Sequence, residues 1–284
     1  NIIPYNLKLD HLREQVKQWS LLKLEEFDFK KQIVWLMNTR QQVDWASSLG
    51  LEALFVNHNC WLDSDLYKIT GLEKRMYDVV INSRPFRWKR VYLADKIESL
   101  AYIKGGDYTN GKQWFWSPWY RLYSYVNLKP IGDPCLVNLI LNQAKMGVIL
   151  SGNTGDDKQE DFEGACYSSS EYLLAGLPVI STPSEGGREV WYNSYNSIIC
   201  QPTREGVESA YRAMLSQIEN NLIDREKIRE GHIKLQLEMR ETFISYTKTL
   251  FQKHGIEIDP DELFKKRFIN KMTCYNSSPE DIIQ

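Results

Sequence analysis

The chain has 284 residues, 43% hydrophobic and 25% charged, which is the composition of an ordinary globular protein with one large domain or two modest ones. A formal net charge of −2 offers no global basic field for nucleic acid. The five cysteines, Cys60, Cys135, Cys166, Cys200 and Cys274, are scattered without metal-ligand spacing, which points to a reducing compartment such as the cytoplasm.

In chain order, residues 8–30 are rich in helix formers, with Leu9, Leu12, Val16 and Trp19 at helical spacing. Ordinary packing is the plainer reading of this stretch, and peripheral contact with a membrane the alternative. Nothing here reads as a signal peptide, and the absence of an initiating Met reads as a fragment. Residues 32–37 (QIVWLM) predict a strand, 40–48 a helix ended by Gly50, and 54–57 a second strand. Residues 61–74 read as a connection. A new unit opens with the apolar run 77–82, a buried strand, followed by a basic loop (SRPFRWKR) at 83–90. The recurrence of Val91, Ala94, Ile97 and Ala101 predicts an amphipathic helix over 91–103, ended by Gly105-Gly106. Residues 107–124 are irregular and aromatic, and 126–128 is a candidate strand.

Residues 134–144 predict a helix and 147–150 a strand. The most apolar stretch, 136–150, is interrupted by Asn138, Asn142, Gln143 and Lys145 and is too short and too polar to span a bilayer. A helix follows, ended by Gly176, then a buried strand at 177–181. Gly186-Gly187 marks a tight turn, 197–200 a strand, 204–222 a helix, 224–252 one or two long helices, and 261–272 a last helix that starts at Asp259-Pro260-Asp261. Alternation of strand and helix predicts an α/β fold with a parallel sheet covered on both faces. The expected units are residues 1–76, an N-terminal lobe; 77–223, the main α/β domain; and 224–284, helices packing back on the N-terminal lobe.

Chemistry concentrates in two places. Glu163 and Glu171 stand eight residues apart, Glu163 at the mouth of a helix and Glu171 about two turns along it, about 12 Å apart along the axis. That distance suits a ligand running from a sugar across a diphosphate to a ribose, and the helix N-terminus between them suits the diphosphate. Arg84 and Lys89 lie five residues apart immediately after the strand at 77–82. The plain alternatives are a solvated helix face for the glutamates and an exposed basic loop for the cations.

The segment 161–190 (DFEGACYSSSEYLLAGLPVISTPSEGGREV), the strand–Arg–x4–Lys pattern and the helix–strand 136–151 (LVNLILNQAKMGVILS) occur in one order that resembles the retaining glycosyltransferases of GT-B fold, family-four (group 1) type, over roughly residues 77–215. The resemblance implies a GT-B-like fold, a Rossmann-type parallel-sheet donor domain with a reduced N-terminal α/β lobe, and metal-independent transfer of a sugar with retention from a nucleotide diphosphate-sugar, UDP or GDP above all, with no resident cofactor. It implies that Arg84 and Lys89 stabilise the departing diphosphate and that Glu163 faces the donor sugar. It further implies that Glu171 holds the ribose and that the backbone at Cys166, Tyr167, Gly186 and Gly187 meets the donor. By position, the nucleobase meets Lys129 to Ile131. The partners implied are the donor, a carbohydrate or glycoconjugate acceptor, and a partner subunit or oligomer that completes the short lobe.

The family has Gly-Phe-Gly after its first glutamate, where this chain has Gly164-Ala165-Cys166, so a Cβ at Cys166 crowds the phosphate approach. His58, after a strand in Asn57-His58-Asn59, is an acceptor-side candidate or a structural histidine. The aromatic run 112–123 is a lid, a sugar platform or a packed loop. Cys166 sits where a thiol pKa can fall, but no histidine neighbours it in sequence, which argues against a nucleophile. Two other readings stand beside the transferase: a donor-binding subunit inactive alone, and a metal-dependent transferase using the Asp63-Ser64-Asp65 pair.

Overall fold

A computed structural model describes residues 34–71, 75–84, 87–104, 124–127, 134–152 and 164–260. The predicted N-terminal helix, the aromatic run 112–123, the helix at 261–272 and the site candidates Glu163, Lys129 and Ile131 lie outside the described residues.

Strand β1 (Val34–Met37), helix α1 (Arg40–Ser48) and strand β2 (Glu52–Phe55) form a right-sized β–α–β unit whose strands pair in parallel, Val34 opposite Glu52 and Met37 opposite Phe55. A reciprocal capping box starts α1: Thr39 Oγ1 accepts from the Gln42 N–H at 3.1 Å, and the Thr39 N–H donates to Gln42 Oε1 at 3.2 Å. Gly50, at φ 73°, turns the chain out of the helix.

The second sheet holds six strands: β3 (Tyr77–Ser83), β4 (Leu100–Lys104), β5 (Ser124–Asn127), β6 (Ala144–Ile149), β7 (Val179–Ser181) and β8 (Ser197–Ile199). Their spatial order is β5-β4-β3-β6-β7-β8, and every pairing is parallel. This is the doubly wound order, in which the chain first adds strands on one side of β3 and then on the other. The crevice at the carboxyl ends of β3 and β6 is the switch point where ligands bind in such sheets.

Helices α2 (Pro134–Asn142), α3 (Tyr167–Leu174), α4 (Arg204–Glu219) and α5 (Arg225–Lys253) complete the described elements. Alternation along the strands separates two cores. Val80, Leu141, Tyr172, Leu173, Trp61, Trp191 and Ile228 share one cluster with α3 and α5. Val79, Ile81, Ile97, Tyr102, Val148, Ile180, Val207 and Met214 share the other, under α4. The helix α3 ends in a Schellman motif: the Leu177 N–H reaches Tyr172 O at 2.9 Å and the Gly176 N–H reaches Leu173 O at 3.0 Å, with Gly176 at φ 70°.

The 29-residue α5 ties the chain together through cations and amides aimed at carbonyls. Arg229 donates to Ser64 O, Tyr67 O and Leu174 O, and Arg225 Nη2 donates to Ala175 O at 2.6 Å. Gln236 Nε2 donates to Asn59 O, and Arg240 donates to Cys60 O and Leu62 O. Two of these arginines therefore sit on the carboxyl-terminal carbonyls of α3, where cations complement the helix dipole. No helix among the described residues is long and apolar enough to cross a membrane.

One element differs from expectation. Residues 91–103 are not a helix; they form a 3-10 turn (Val91–Ala94), a short link and strand β4. Val91, Ala94, Ile97 and Ala101 are all buried, so their spacing records burial in two successive elements, and the periodicity imitates one amphipathic helix.

Candidate functional site

The carboxyl ends of β3 and β6 and the start of α3 enclose a small recess lined by Asn82, Ser83, Lys89, Leu150, Ser151, Cys166 and Ser168. The residue before α3, Cys166, has extended backbone and no side-chain cap, so the first-turn N–H groups of α3 open toward this region. The Ser168 hydroxyl donates to Asn82 O at 2.7 Å, fastening the helix start to β3.

Helix α3 begins at Tyr167, so Glu171 opens its second turn; it does not lie two turns into a helix that starts at Glu163. The extended backbone at Cys166 is the reason, since it ends the helical register there. Glu171 is 8% exposed. Its Oε2 accepts from Asn82 Nδ2 at 2.7 Å, and the Tyr67 side chain also hydrogen-bonds to it. Burial pushes the carboxyl up to about 7, and these two hydrogen bonds oppose the rise. Beside it the Tyr172 hydroxyl accepts from the Asn82 N–H at 2.6 Å. That ring lies against Gly147 of β6, where a Cβ would overlap it.

Cations gather at the same end of the sheet. Arg84 is exposed at the end of β3. Lys89 is 9% exposed and packs its ammonium 4.3 Å from the centre of the Trp88 ring. Burial lowers its pKa to about 7, repulsion from Arg84 and Arg188 adds to the fall, and Cys166 opposes it. Next to it, Arg90 takes a left-handed conformation at φ 46° and turns inward. Its Nε donates to Leu150 O at 2.6 Å and its Nη2 to Thr182 Oγ1 at 2.9 Å. Arg188 is fully buried, donating to Ser181 Oγ, to Ser151 Oγ at 3.0 Å and O at 2.5 Å, and to Thr182 O at 2.6 Å. Glu189 Oε1 stands 3.7 Å from its Nε.

The segment after β2 closes over this region. Asn57 Nδ2 donates to Asn38 O at 3.1 Å and to Gly187 O at 2.8 Å, and Asn59 Nδ2 donates to Cys166 O at 2.9 Å. Gly187 is at φ 97° with Asn38 so close that a side chain would collide. The Gly186 N–H donates to Ser184 Oγ at 3.1 Å. His58 Nδ1 meets Asn38 Oδ1 at 3.0 Å, and its ring stands edge-on to Tyr167 at 4.9 Å. Burial lowers its pKa to about 4, so the ring is neutral and packed near neutral pH. Asp63 Oδ1 accepts from the Asp65 N–H at 2.7 Å as a turn cap, and no group of three or more His, Cys, Asp or Glu among the described residues could hold a metal ion.

Lys89 and Cys166 thus line one recess with Arg84 at the β3 end beside it, Asn82 bonds Glu171, Tyr167 and Gly187 meet the segment from Asn38 to His58, and Gly186 bonds back to Ser184. Sequence reading missed Asn82, Ser151, Ser168, Thr182, Arg90 and Arg188. Arg188 had a local signal, since it follows directly on Gly186-Gly187; the serines and Thr182 meet it only across neighbouring strands.

No protein-family model and no curated protein sequence matches the chain. Solved structures do match. A glycosyltransferase from Rickettsia africae ESF-5 aligns with a TM-score of 0.62 at 14% identity, covering 88% of this chain and 70% of that one. Sucrose-phosphate synthase from Thermosynechococcus elongatus aligns at 0.57 and 13%, covering 85% and 66%. Anabaena HepE, solved in complex with UDP-glucose, aligns at 0.55 and 15%, covering 84% and 68%. The chain spans about two thirds of the length of these structures. Its α/β fold, with one complete doubly wound sheet and a two-stranded N-terminal unit among the described residues, is the fold of the GT-B glycosyltransferases.

Proposed function

We propose that the protein is a glycosyltransferase that moves a sugar from a nucleotide diphosphate-sugar to a carbohydrate or glycoconjugate acceptor, with retention and with side-chain cations in place of a metal. The carrying observation is the convergence of Arg84, Lys89, Arg90 and Arg188 on the sheet switch point beside the amino end of α3. A group of cations beside a helix amino end suits a diphosphate, whose charge grows as the sugar departs, so fixed cations stabilise the transition state more than the ground state.

In this reading Arg84 grips phosphate oxygens bidentately, and Lys89 adds a compact charge that a bound dianion keeps protonated. The backbone N–H groups of Cys166 and Tyr167 meet the phosphates. Glu163 positions the donor sugar, and Glu171 turns toward the ribose from its partners Asn82 and Tyr67. Gly186 and Gly187 flank the donor on the lobe-facing side, Lys129 and Ile131 meet the base, and His58 shapes the acceptor side. UDP is the favoured nucleotide because HepE, of like fold, was solved with it; GDP is the alternative. A cytoplasmic protein with peripheral membrane contact suits such a donor. The purified chain is expected to release UDP or GDP from the matching nucleotide sugar in the presence of a chelator, and Arg84→Ala to abolish that release.

A second reading, a donor-binding subunit that needs a partner for its acceptor side, is favoured by the two-stranded N-terminal sheet of the described residues. It predicts nucleotide binding without hydrolysis or transfer. The Asp63/Asp65 metal reading predicts activity lost to a chelator.

A further inference from the structure

We infer that Arg40, stacked on Phe55 at the carboxyl edge of the two-stranded sheet, is an acceptor subsite for an acidic sugar, one bearing a carboxylate or a phosphate. This names the acceptor class of the transferase proposed above and rests on that reading. Met37 and Phe55 end β1 and β2 opposite each other, and Arg40 opens α1 just beyond Met37. Asn38, between Met37 and Arg40, lies against Gly187 and its side chain meets His58. The Arg40–Phe55 pair therefore stands at the edge of the two-stranded unit that meets the Gly186-Gly187 turn, on the side assigned to the acceptor.

Arg40 is an exposed cation where its own helix disfavours one. It occupies the first position of α1, at the positive end of the macrodipole, and no acidic residue stands in that first turn. The cap does not need it, because Thr39 and Gln42 satisfy each other there. Asp44 lies one turn along the same face, the usual place of an ion-pair partner, yet no ion pair joins the two. Among the described residues the guanidinium meets no carboxylate. Instead its Cζ sits 4.9 Å from the centre of the Phe55 ring, which is itself half-buried against the core.

The stacking prepares the side chain for recognition. It restricts a long, rotamer-rich chain before a ligand arrives, while Arg40 stays exposed and its N–H fork open to solvent. Such a fork pairs two N–H groups with two oxygens of one carboxylate or phosphate. A hydroxyl of a neutral sugar takes a single bond and leaves the charge uncompensated. The field of the helix end, which makes this arginine costly, favours the same anion. The cations assigned to the diphosphate, Arg84 and Lys89, belong to the six-stranded domain, so Arg40 on the opposite unit serves a second anion.

The test begins with calorimetric titration of the purified chain with UDP and GDP. With the nucleotide that binds held at saturation, methyl glucuronide, glucose 6-phosphate and neutral methyl glucoside are titrated into wild type, Arg40→Gln and Arg40→Lys, with ligand-observed NMR as the readout. The tighter of the two acidic probes is expected to bind wild type about tenfold better than the neutral glucoside, and its identity tells a uronic from a phosphorylated acceptor. Arg40→Gln is expected to abolish that preference and to leave the glucoside and the nucleotide unchanged. Arg40→Lys keeps the charge and loses the fork, so part of the preference remains. A merely structural role would move all the affinities together. Equal binding of the three probes by wild type, binding of none of them, or an acid preference that survives in Arg40→Gln would overturn the inference and leave the donor site standing. Binding of neither nucleotide would overturn the donor site and the inference with it.

Discussion

The side-chain amide of Asn82 donates to Glu171 Oε2 across 2.7 Å, joining the carboxyl end of β3 to the second turn of α3. The Asn82 backbone repeats the connection, its N–H donating to Tyr172 and its carbonyl accepting from Ser168. One asparagine therefore sets the helix that bears Glu171 against the strand that leads to Arg84.

The buried Glu171 makes stability depend on pH with a definite sign. Its folded pKa, raised to about 7, exceeds the ordinary value of 4.5, so between these limits the folded state binds more protons than the unfolded chain. The contribution is fully present below about pH 4.5 and is lost as pH rises through 7. Glu171→Gln, a permanent neutral mimic, is expected to match wild type near pH 5 and to exceed it at pH 8 by about 2 kcal/mol. Thermal unfolding of both proteins over that range checks this.

Lys89 has the opposite shift. Its folded pKa near 7 lies below the ordinary 10.5, so the folded protein carries this lysine mostly neutral at pH 8. Stability it withholds at low pH returns as pH rises from about 7 toward 10.5. A bound diphosphate favours the ammonium, and nucleotide binding at pH 8 is expected to take up a proton. Calorimetry in buffers of different ionisation enthalpy measures the uptake, which Lys89→Met should remove.

Gly147 is a packing requirement. The Tyr172 ring occupies the space of a side chain there, and both groups are buried in the sheet interior. Gly147→Ala is expected to destabilise the protein by about 3 kcal/mol through overpacking. The displaced Tyr172 would also loosen Asn82, so nucleotide affinity should fall in the same variant, as urea titration and calorimetry would show.

Asn57 bridges the two-stranded unit and the six-stranded sheet by holding Asn38 O and Gly187 O with one amide. Asn57→Ala leaves the buried Gly187 carbonyl and the half-buried Asn38 carbonyl short of a donor and should lose about 2 kcal/mol. Faster amide exchange around Gly187 than in wild type would locate the loss at the bridge.

Much of this architecture is legible in the sequence because local chemistry and tertiary packing agree. Thr39 and Gly50 bracket α1, and Gly176 fixes the end of α3. The run at 77–83 is apolar because β3 is central in the sheet. Reading fails where burial spans two elements, as at 91–103. It fails also where a polar group finds its partners across strands. Arg90 reads as part of a basic loop and Arg188 draws no reading, since nothing local shows that they turn inward to Ser151, Leu150 and Thr182. Glu171 reads as a ribose ligand or a solvated helix face, and its burial against Asn82 and Tyr67 stays hidden because both are far away in sequence.

The most direct measurement is calorimetric titration of the purified chain with UDP, GDP and ADP, with and without chelator, alongside the Arg84→Ala/Lys89→Met double variant. The account predicts chelator-insensitive micromolar binding of one nucleotide that disappears in the double variant. Binding of none of the three, or undiminished binding after both cations are removed, would contradict it.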